Sequence, residues 1–421
     1  MIKHLLKIIW SQRKTNVWIF AELSVVICAV WWMTDQLYVD MRTYYSPMGY
    51  DITNSWRFQL DFFSPDAAGY VSEENYTSSG SEDLSKLQQQ IKQHPAVEDV
   101  CISFYSAPYS FGNSWTGIEP VDGDTTSRGQ SFQCRYVSPE YFDMFRITDI
   151  QGNPITRQLE GKQNPVIVSE DMALKFFHTN DVRGRQVRYS GENGESMTIA
   201  AVSVPYRDNS FLRSEAFFYK LITPQNIRNY FGGNSAKNAE FCVRMKQPFS
   251  QDEMNEFLRE MGDRLVVNNL YVYSANSTEH YRDIQTSKTI DEQNRKLSLM
   301  TFLLINVLFG ITGTFWLRGQ SRRGEVGLRI ALGANKTNIK YFMYMEGLLI
   351  LFLTIPLTLA FALNMLFLDM PDTYRLPYTT GRFLTTYGGT YLLMTVMICI
   401  GIWLPVRKAE RIAPAEALHY E

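Results

Sequence analysis

The residues that could do chemistry in this 421-residue chain are few and scattered. Its five histidines stand far apart, and neither the metalloprotease motif H-E-x-x-H nor the nucleophile motif G-x-S-x-G occurs. Residues 333–337, GANKT, have the composition of a phosphate-binding loop but not its spacing, G-x-x-x-x-G-K-[ST], and no strand is predicted before them. The sequence therefore predicts no catalytic, cofactor-binding or metal site in this chain.

Two carboxylates, Glu22 and Glu346, stand inside otherwise apolar stretches. An ionisable residue within a membrane span is by default a functional hypothesis, and a proton relay is one such function. Both residues lie near the end of their stretch that carries the basic flank, where a carboxylate can reach the membrane interface or pair with an arginine. We therefore favour an interfacial or ion-paired position for each of them.

The most specific pattern is RRGEVGLRIALGANKTNIK, in residues 322–340. Gly327, Ala331 and Ala334 fall at roughly i, i+4 and i+7, which gives a helix one flat face for close docking against another protein. The alternative is a basic loop that only fixes membrane topology. The candidate docking residues, with the charges at the edges of the face, are Arg322, Arg323, Glu325, Gly327, Arg329, Ala331, Gly333 and Ala334.

The elements that must position this loop are apolar stretches of 17 to 28 residues. Because a helix of about 20 apolar residues crosses a bilayer core, we expect these stretches to be transmembrane helices. The first of them has a basic flank like a signal peptide, but Trp31, Trp32 and Met33 stand where a small-residue cleavage site belongs, so we expect an uncleaved anchor. A wholly soluble protein is excluded, and the net charge of −2 gives no basic surplus for nucleic acid.

The charges of the connecting segments predict one orientation. Residues 1–16 hold four basic residues and no acid, and residues 318–340 hold six basic residues and one acid, so both should face the cytoplasm. Residues 35–296 then lie outside, with 26 Lys and Arg against 35 Asp and Glu, a net charge of −9. A segment of this size and polarity can build a core of its own.

The exterior segment should hold two βαβ-like units of similar length. The helix of one is predicted over residues 81–95, with Ser81 as N-cap, and the helix of the other over residues 250–265, with the capping pair Ser250 and Glu253. Residues 106–235 between them are rich in predicted strands and are interpreted as an inserted subdomain. Of the three exterior cysteines, at most two can form an intrachain disulfide; free buried thiols are the equal alternative.

The predicted fold is thus a membrane protein with four transmembrane α-helices and a large α+β extracytoplasmic domain between helices 1 and 2. In that domain, helices that continue beyond the membrane would form a stalk. The segments are an amphipathic cytoplasmic N-terminus (1–16), helix 1 (17–34), the exterior domain (35–296, insertion about 106–235), helix 2 (297–317), the cytoplasmic loop (318–340), helix 3 (341–368), an exterior loop (369–386), helix 4 (387–406) and a cytoplasmic tail (407–421).

At this point the chain resembles a known family. Residues 323–334, RGEVGLRIALGA, together with the tail 404–418, LPVRKAERIAPAEAL, look like the signatures of the MacB/FtsX-type permeases of ABC transporters. Segments of the exterior domain, among them 137–142 (VSPEYF) and 165–170 (PVIVSE), resemble the MacB-like periplasmic core. Ile330 departs from the pattern, because a basic residue is common there.

The resemblance implies a bacterial inner-membrane protein with both termini in the cytoplasm, working with a second permease copy or a related permease. ATP and Mg²⁺ would bind to a separate cytoplasmic ATPase dimer, and residues 318–340 would be the coupling helix. Motion of that helix would pass through the stalk to the exterior domain, a mode called mechanotransmission, for efflux or export. A periplasmic adaptor and an outer-membrane channel are possible further partners, besides membrane lipid; nucleic acid is not expected.

Other functions of the same family stay open, namely an FtsX-like regulator of periplasmic cell-wall hydrolases and a lipoprotein-releasing permease. The size of segment 35–296 favours the MacB-like function. A membrane-anchored sensor or binding module without an ATPase is the alternative outside transport, and the motif of the cytoplasmic loop argues against it.

Overall fold

The computed structural model describes residues 11, 13–76, 78, 80–110, 112, 114–121, 129–191, 194–223, 227, 235–321 and 336–409. The chain divides into two compact units, here called the helix unit (Met1–Tyr44 with Thr289–Glu421) and the sheet unit (Tyr45–Lys288). The predicted amphipathic segment within residues 1–16 lies almost wholly outside the described residues, and so does most of the tail 407–421.

The sheet unit contains both helices and strands, whereas the helix unit has helices alone among its described elements. The helices are α1 (Arg13–Tyr44), α2 (Gly80–Lys92), α3 (Tyr141–Met144), α4 (Thr156–Leu159), α5 (Glu170–Met172), α6 (Gln251–Met261), α7 (Thr278–Ser321), α8 (Lys336–Phe367) and α9 (Thr380–Ala409). The strands are β1 (Ser55–Phe62), β2 (Val97–Phe104), β3 (Trp115–Pro120), β4 (Gln130–Val137), β5 (Pro165–Ser169), β6 (Gln186–Tyr189), β7 (Ser196–Ser203), β8 (Phe217–Leu221), β9 (Glu240–Met245), β10 (Val266–Val267) and β11 (Leu270–Ser277).

One part of the sheet unit is an antiparallel sheet in the order β10-β11-β1-β9-β2. The connection from β1 through α2 to β2 and the connection from β9 through α6 to β11 each skip one strand, so the two are interleaved split βαβ units. The alternation of β2 turns Val100, Ile102 and Phe104 towards a core built with α2 and α6. Cys101 belongs to a different cluster of buried side chains, with Tyr141 among its members.

The other part is a closed ring of strands inserted between β2 and β9. Among the described strands, β4 pairs with β3, then β6, β7, β5 and β8 follow in turn, and β8 pairs back with β4. Alternate residues of these strands fill the interior of this barrel, including Ile118, Phe132, Cys134, Val166 and Phe218. Two pairs, Ser103↔Val137 and Phe104↔Tyr136, join β2 to β4.

The helix unit packs α1, α7, α8 and α9 around an apolar core. In the described part of the chain, four helices are long and apolar enough to cross a membrane. Their outward faces keep large apolar side chains exposed, such as Phe309 and Phe367, and such faces suit contact with lipid. This arrangement is consistent with a membrane protein.

Several element boundaries differ from those expected. Strand β2 ends at Phe104, because Tyr105 has a φ of 52°, which no strand residue adopts. Helix α2 begins at Gly80, so Ser81 lies within its first turn instead of capping it, whereas Ser250 and Glu253 form the expected capping box at α6. Helix α9 begins at Thr380, inside the expected exterior loop, since residues 380–386 contain no proline and Arg382 is buried there.

Candidate functional site

The candidate docking residues Arg322, Arg323, Glu325, Gly327, Arg329, Ala331, Gly333 and Ala334 lie outside the described residues. The structure does describe the two helix ends that flank them, α7 ending at Ser321 and α8 beginning at Lys336. The candidate site therefore consists of the side-chain contacts at these two helix ends and of the contacts further along the same helices.

An ion pair holds the end of α7 next to the loop. The guanidinium of Arg318 donates to Glu346 Oε1 of α8 over 2.8 Å, and its other terminal nitrogen donates to Asn16 Oδ1 of α1. The side chain of Arg318 is 8% exposed and that of Glu346 is 2% exposed. We call Arg318, Glu346 and Asn16 the inner clamp. The sequence left an interfacial or an ion-paired position open for Glu346, and the structure shows the ion pair.

Glu22 behaves differently from Glu346. No hydrogen bond or ion pair of this carboxylate is found within the described residues, and its Oε1 would lie 2.7 Å from a β-carbon added at Gly310. The absence of a side chain at Gly310 thus gives the Glu22 side chain its space between α1 and α7. Of the two positions expected for Glu22, at the membrane interface or paired with an arginine, the ion pair is not found in the part of the chain that the structure describes.

A second group of ion pairs, the outer clamp, holds the opposite ends of these helices. Arg382 of α9 forms a two-pronged ion pair with Asp35 of α1, with 2.9 Å between Nε and Oδ1, and both side chains are 1% exposed. The same guanidinium donates to the carbonyl oxygens of Asp372 and Leu376 over 2.9 and 2.8 Å. One buried arginine therefore joins α1, α9 and the segment before α9.

Asp40 extends the outer clamp to α7. Its carboxylate pairs with Arg375 over 2.6 Å and with Lys296 of α7 over 3.8 Å. Burial alone would raise the pKa of Asp372 nearby, but the hydrogen bonds and the charge of Arg375 outweigh it and lower that pKa below its usual value. The Asp372 carboxylate is therefore held ionised against Arg375.

The two clamps are separated by about the thickness of a bilayer core. From Asn16 to Asp35 along α1 there are 19 residues, which at 1.5 Å each span about 28 Å, against a hydrocarbon core of about 30 Å. Buried charges thus occur at both ends of the apolar layer and fix the helices to one another there. Helices α1 and α7 take part in both clamps.

A loop between β7 and β8 contacts residues of the same unit that directly follow α1 and that form the first turns of α7. We call residues 205–212 the junction loop. The guanidinium of Arg207 donates to the carbonyl oxygen of Ser46 over 2.9 Å and contacts Met48 Sδ at 2.7 Å, and the Arg207 N–H donates to the Met48 carbonyl over 3.1 Å. The junction loop is therefore hydrogen-bonded to the residues that directly follow α1.

The same loop reaches the first turns of α7. The side-chain amide of Asn209 lies 3.4 Å from the Gln285 side-chain oxygen, and Gln285 donates to the Ser110 carbonyl over 2.9 Å. Gly49 packs directly on the loop: a β-carbon added there would lie 2.0 Å from the Pro205 carbonyl oxygen. The junction loop thus contacts both the segment after α1 and the start of α7.

Stacked side chains connect the junction loop to the barrel. The Tyr206 ring lies 4.5 Å from that of Tyr50, and the Arg135 guanidinium of β4 lies 4.0 Å from the Tyr206 ring. Arg135 also pairs with Asp208 of the loop. Burial raises the pKa of the Tyr206 phenol, which stays neutral. The junction loop is therefore packed against the wall of the barrel.

Sequence reasoning did not find either the outer clamp or the junction loop. The sequence analysis counted four of these residues only as charges of their segments, namely Asp35, Asp40, Arg375 and Arg382. An Asp within an apolar helix is the signal that could have predicted a buried ion pair. Arg207 and Asn209 carry no local pattern at all, because their partners are 76 to 161 residues away in the chain.

Comparison with known proteins adds two family matches. Residues 48–260 match the model of the MacB-like periplasmic core domain, and residues 297–414 match that of the FtsX-like permease C-terminal domain. Among curated proteins, the macrolide export ATP-binding/permease protein MacB 1 of Yersinia pestis bv. Antiqua (strain Antiqua) is 24% identical over 293 residues. The protein named MacB in Escherichia coli (strain K12) is 23% identical over 299 residues. Each alignment covers 68% of this chain and 43% of the relative, so the chain spans less than half the length of those relatives.

Two solved structures also match. A domain of a putative permease protein from Porphyromonas gingivalis has 16% identity and a TM-score of 0.35, over 55% of this chain and 92% of that one. The periplasmic region of MacB from Actinobacillus actinomycetemcomitans has 13% identity and a TM-score of 0.34, over 58% of this chain and 94% of that one.

Proposed function

Because this chain belongs to the MacB/FtsX-type family of ABC transporter permeases, we propose that it couples ATP hydrolysis by a separate cytoplasmic ATPase to conformational change in its sheet unit. The observation that carries the proposal is α7, a helix of 44 residues that runs without a break from the end of β11 to the loop 318–340. A continuous helix transmits displacement along its length, whereas a flexible linker would absorb it.

The proposed sequence of events begins in the partner. ATP and Mg²⁺ bind to an ATPase dimer, whose closure moves the coupling helix in residues 318–340. The inner clamp passes this motion to α1, α7 and α8, and the outer clamp keeps α1, α7 and α9 moving together. The junction loop, held to the segment after α1 and to the start of α7, then shifts the barrel.

In this proposal the chain works as a homodimer or with a related permease, and it drives efflux or export with a periplasmic adaptor and an outer-membrane channel. The names of the curated relatives, macrolide export proteins, support export over the regulation of cell-wall hydrolases. A sheet unit with an inserted barrel also offers more surface to an adaptor than a small domain would.

The topology behind this proposal predicts two labelling results. Ser190 and Thr337 are both exposed side chains, one in the barrel and one at the start of α8. Ser190→Cys should react with a membrane-impermeant thiol reagent added outside the inner membrane, and Thr337→Cys only after that membrane is opened. The parent chain, whose exterior-segment cysteines are buried, is the control. The reverse pattern would overturn the proposed orientation.

The coupling helix predicts a loss of ATPase binding when its flat face gains bulk. Ala331→Trp places a large side chain where two backbones should meet, and overpacking of about 1–3 kcal/mol weakens binding about 5- to 150-fold. Glu325→Lys tests the charged edge. The measurement is co-purification with the ATPase, together with ATP hydrolysis, which the isolated chain should not perform.

Two variants control for bulk and for membrane insertion. Ala331→Ser keeps the face small, and Glu256→Trp adds the same bulk at an exposed position of α6, outside residues 318–340; both should bind the ATPase normally. Normal insertion with lost binding in Ala331→Trp supports a docking helix. Unchanged binding in both Ala331→Trp and Glu325→Lys would reduce the loop to a determinant of topology.

A further inference from the structure

Two cysteines of the sheet unit lie directly opposite each other on neighbouring strands. Cys101 of β2 is paired with Cys242 of β9 in the antiparallel ladder, and the two side chains are 0% and 1% exposed. Both belong to the buried cluster on the face of the sheet turned away from α2 and α6. The other cysteines stand elsewhere: Cys134 lines the barrel, and Cys28 and Cys399 belong to helices of the helix unit.

The register brings this pair within reach of a covalent bond. Opposed residues of an antiparallel ladder have their α-carbons about 4.5 to 5.5 Å apart, and disulfides join α-carbons about 4.4 to 6.8 Å apart. The two β-carbons also point to the same face, since both residues pack in one cluster. The register therefore places the pair at a separation that a disulfide can span.

We propose that Cys101 and Cys242 are joined by a disulfide in the mature protein. The reaction is thiol–disulfide exchange with an oxidised dithiol protein outside the cytoplasm. One cysteine thiolate attacks the donor disulfide and forms a mixed disulfide, and the second thiolate then attacks the first cysteine's sulfur and releases the reduced donor. Two electrons pass to the donor, whose two thiols take up the two protons lost by the cysteines.

The bond forms before the sheet closes. In the folded unit, burial raises the pKa of Cys101 well above its usual value, so the reactive thiolate is almost absent, and both side chains are buried. The exchange therefore takes place on the exported chain while β9 is still docking. Once formed, the bond is shielded from reductants by the same burial.

The disulfide would act as a staple at the base of the barrel. It closes a loop from residue 101 to residue 242, which contains every strand of the inserted ring. Closing a loop of this length removes much conformational freedom from the unfolded chain. It also prevents β2 and β9, the strands that enter and leave the barrel, from separating when the barrel is pulled.

The test is differential alkylation of the full chain, expressed in a bacterium that exports the sheet unit and purified with free thiols trapped by acid. In denaturant without reductant, Cys134, Cys28 and Cys399 should be alkylated, and Cys101 and Cys242 should react only after reduction. Peptide mass spectrometry should find a link between the peptides of Cys101 and Cys242. Reduction should lower the apparent Tm of the sheet unit by roughly 5–15 °C.

Three variants sharpen the test. Cys101→Ser should free Cys242 for alkylation, Cys242→Ser should free Cys101, and Cys134→Ser should leave the linked pair unchanged. Alkylation of Cys101 and Cys242 in denaturant without reductant overturns the proposal, and so does a link from either one to Cys134. A linked pair whose reduction leaves the Tm unchanged overturns the stapling role.

The inference needs the sheet unit to lie outside the cytoplasm but not the proposed coupling to an ATPase. The label at Ser190 reports the location separately, and ATPase co-purification reports the coupling. A chain that fails to bind an ATPase but carries the linked pair would therefore contradict the proposed function and leave the disulfide standing.

Discussion

Replacing Arg382 by Met should destabilise the helix unit by about 3–5 kcal/mol, the cost of leaving a buried charge without its partner. Asp35 faces this guanidinium with 1% of its side chain exposed, and the carbonyl oxygens of Asp372 and Leu376 would lose their donor as well. Unfolding of the full chain in detergent, followed by circular dichroism against denaturant concentration, measures the loss.

The same substitution at an exposed site and a double variant separate charge from packing. Arg407→Met, in the last turns of α9, removes an exposed arginine and should cost less than about 0.5 kcal/mol. Adding Asp35→Leu to Arg382→Met removes the stranded carboxylate and should restore much of the stability. If Arg382→Met is as mild as Arg407→Met, the outer clamp does not hold the helices together.

Gly49→Ala should release the segment after α1 from the junction loop. Gly49 has a φ of 84°, which costs an alanine about 1–2 kcal/mol, and the added methyl group would stand 2.0 Å from the Pro205 carbonyl oxygen, a contact that backbone must move to relieve. We expect a total loss of about 3 kcal/mol or more. Hydrogen–deuterium exchange in the full chain should show faster exchange in residues 45–51 and in the junction loop.

Gly152 offers a matched control. It has the same φ of 84°, but nothing lies within 4 Å of a β-carbon added there, so Gly152→Ala carries the backbone cost without the collision. The difference between the two variants therefore measures the contact with Pro205. In the proposed function, Gly49→Ala should keep ATPase binding but lose cellular export. Equal exchange patterns in the two variants would show that Gly49 does not anchor the loop.

The parts of the fold that local pattern decides could be predicted from the sequence. The apolar stretches led to the helices of the helix unit, and the capping pair Ser250–Glu253 located the start of α6. Strands β5 and β9 were placed to within one residue by their alternation and flanking turns. In each case the determining residues are neighbours in the chain, so one sequence is enough to find them.

The parts that depend on distant residues could not be predicted. Pairing of β4 with β8 closes the barrel, and its partners are more than 80 residues apart. The contacts of Arg382 with Asp35 and of Arg207 with Ser46 join residues 347 and 161 positions apart. Nothing in the local sequence of either residue names its partner, so hydropathy and charge counting missed both sites. The coupling residues stay a prediction, since they lie outside the described residues.

The closing of the barrel ring between β2 and β9 has an evolutionary consequence. Strands β2 and β9 are neighbours in the sheet, and the end of β2 is paired with the start of β9 at Ser103↔Glu240. The chain therefore leaves the antiparallel sheet and returns to it at almost the same point. Lineages can therefore lengthen, shorten or exchange everything between residues 104 and 240 without rethreading the rest of the sheet. Diversification can then proceed in a replaceable module, while the antiparallel sheet into which it is inserted is left unaltered.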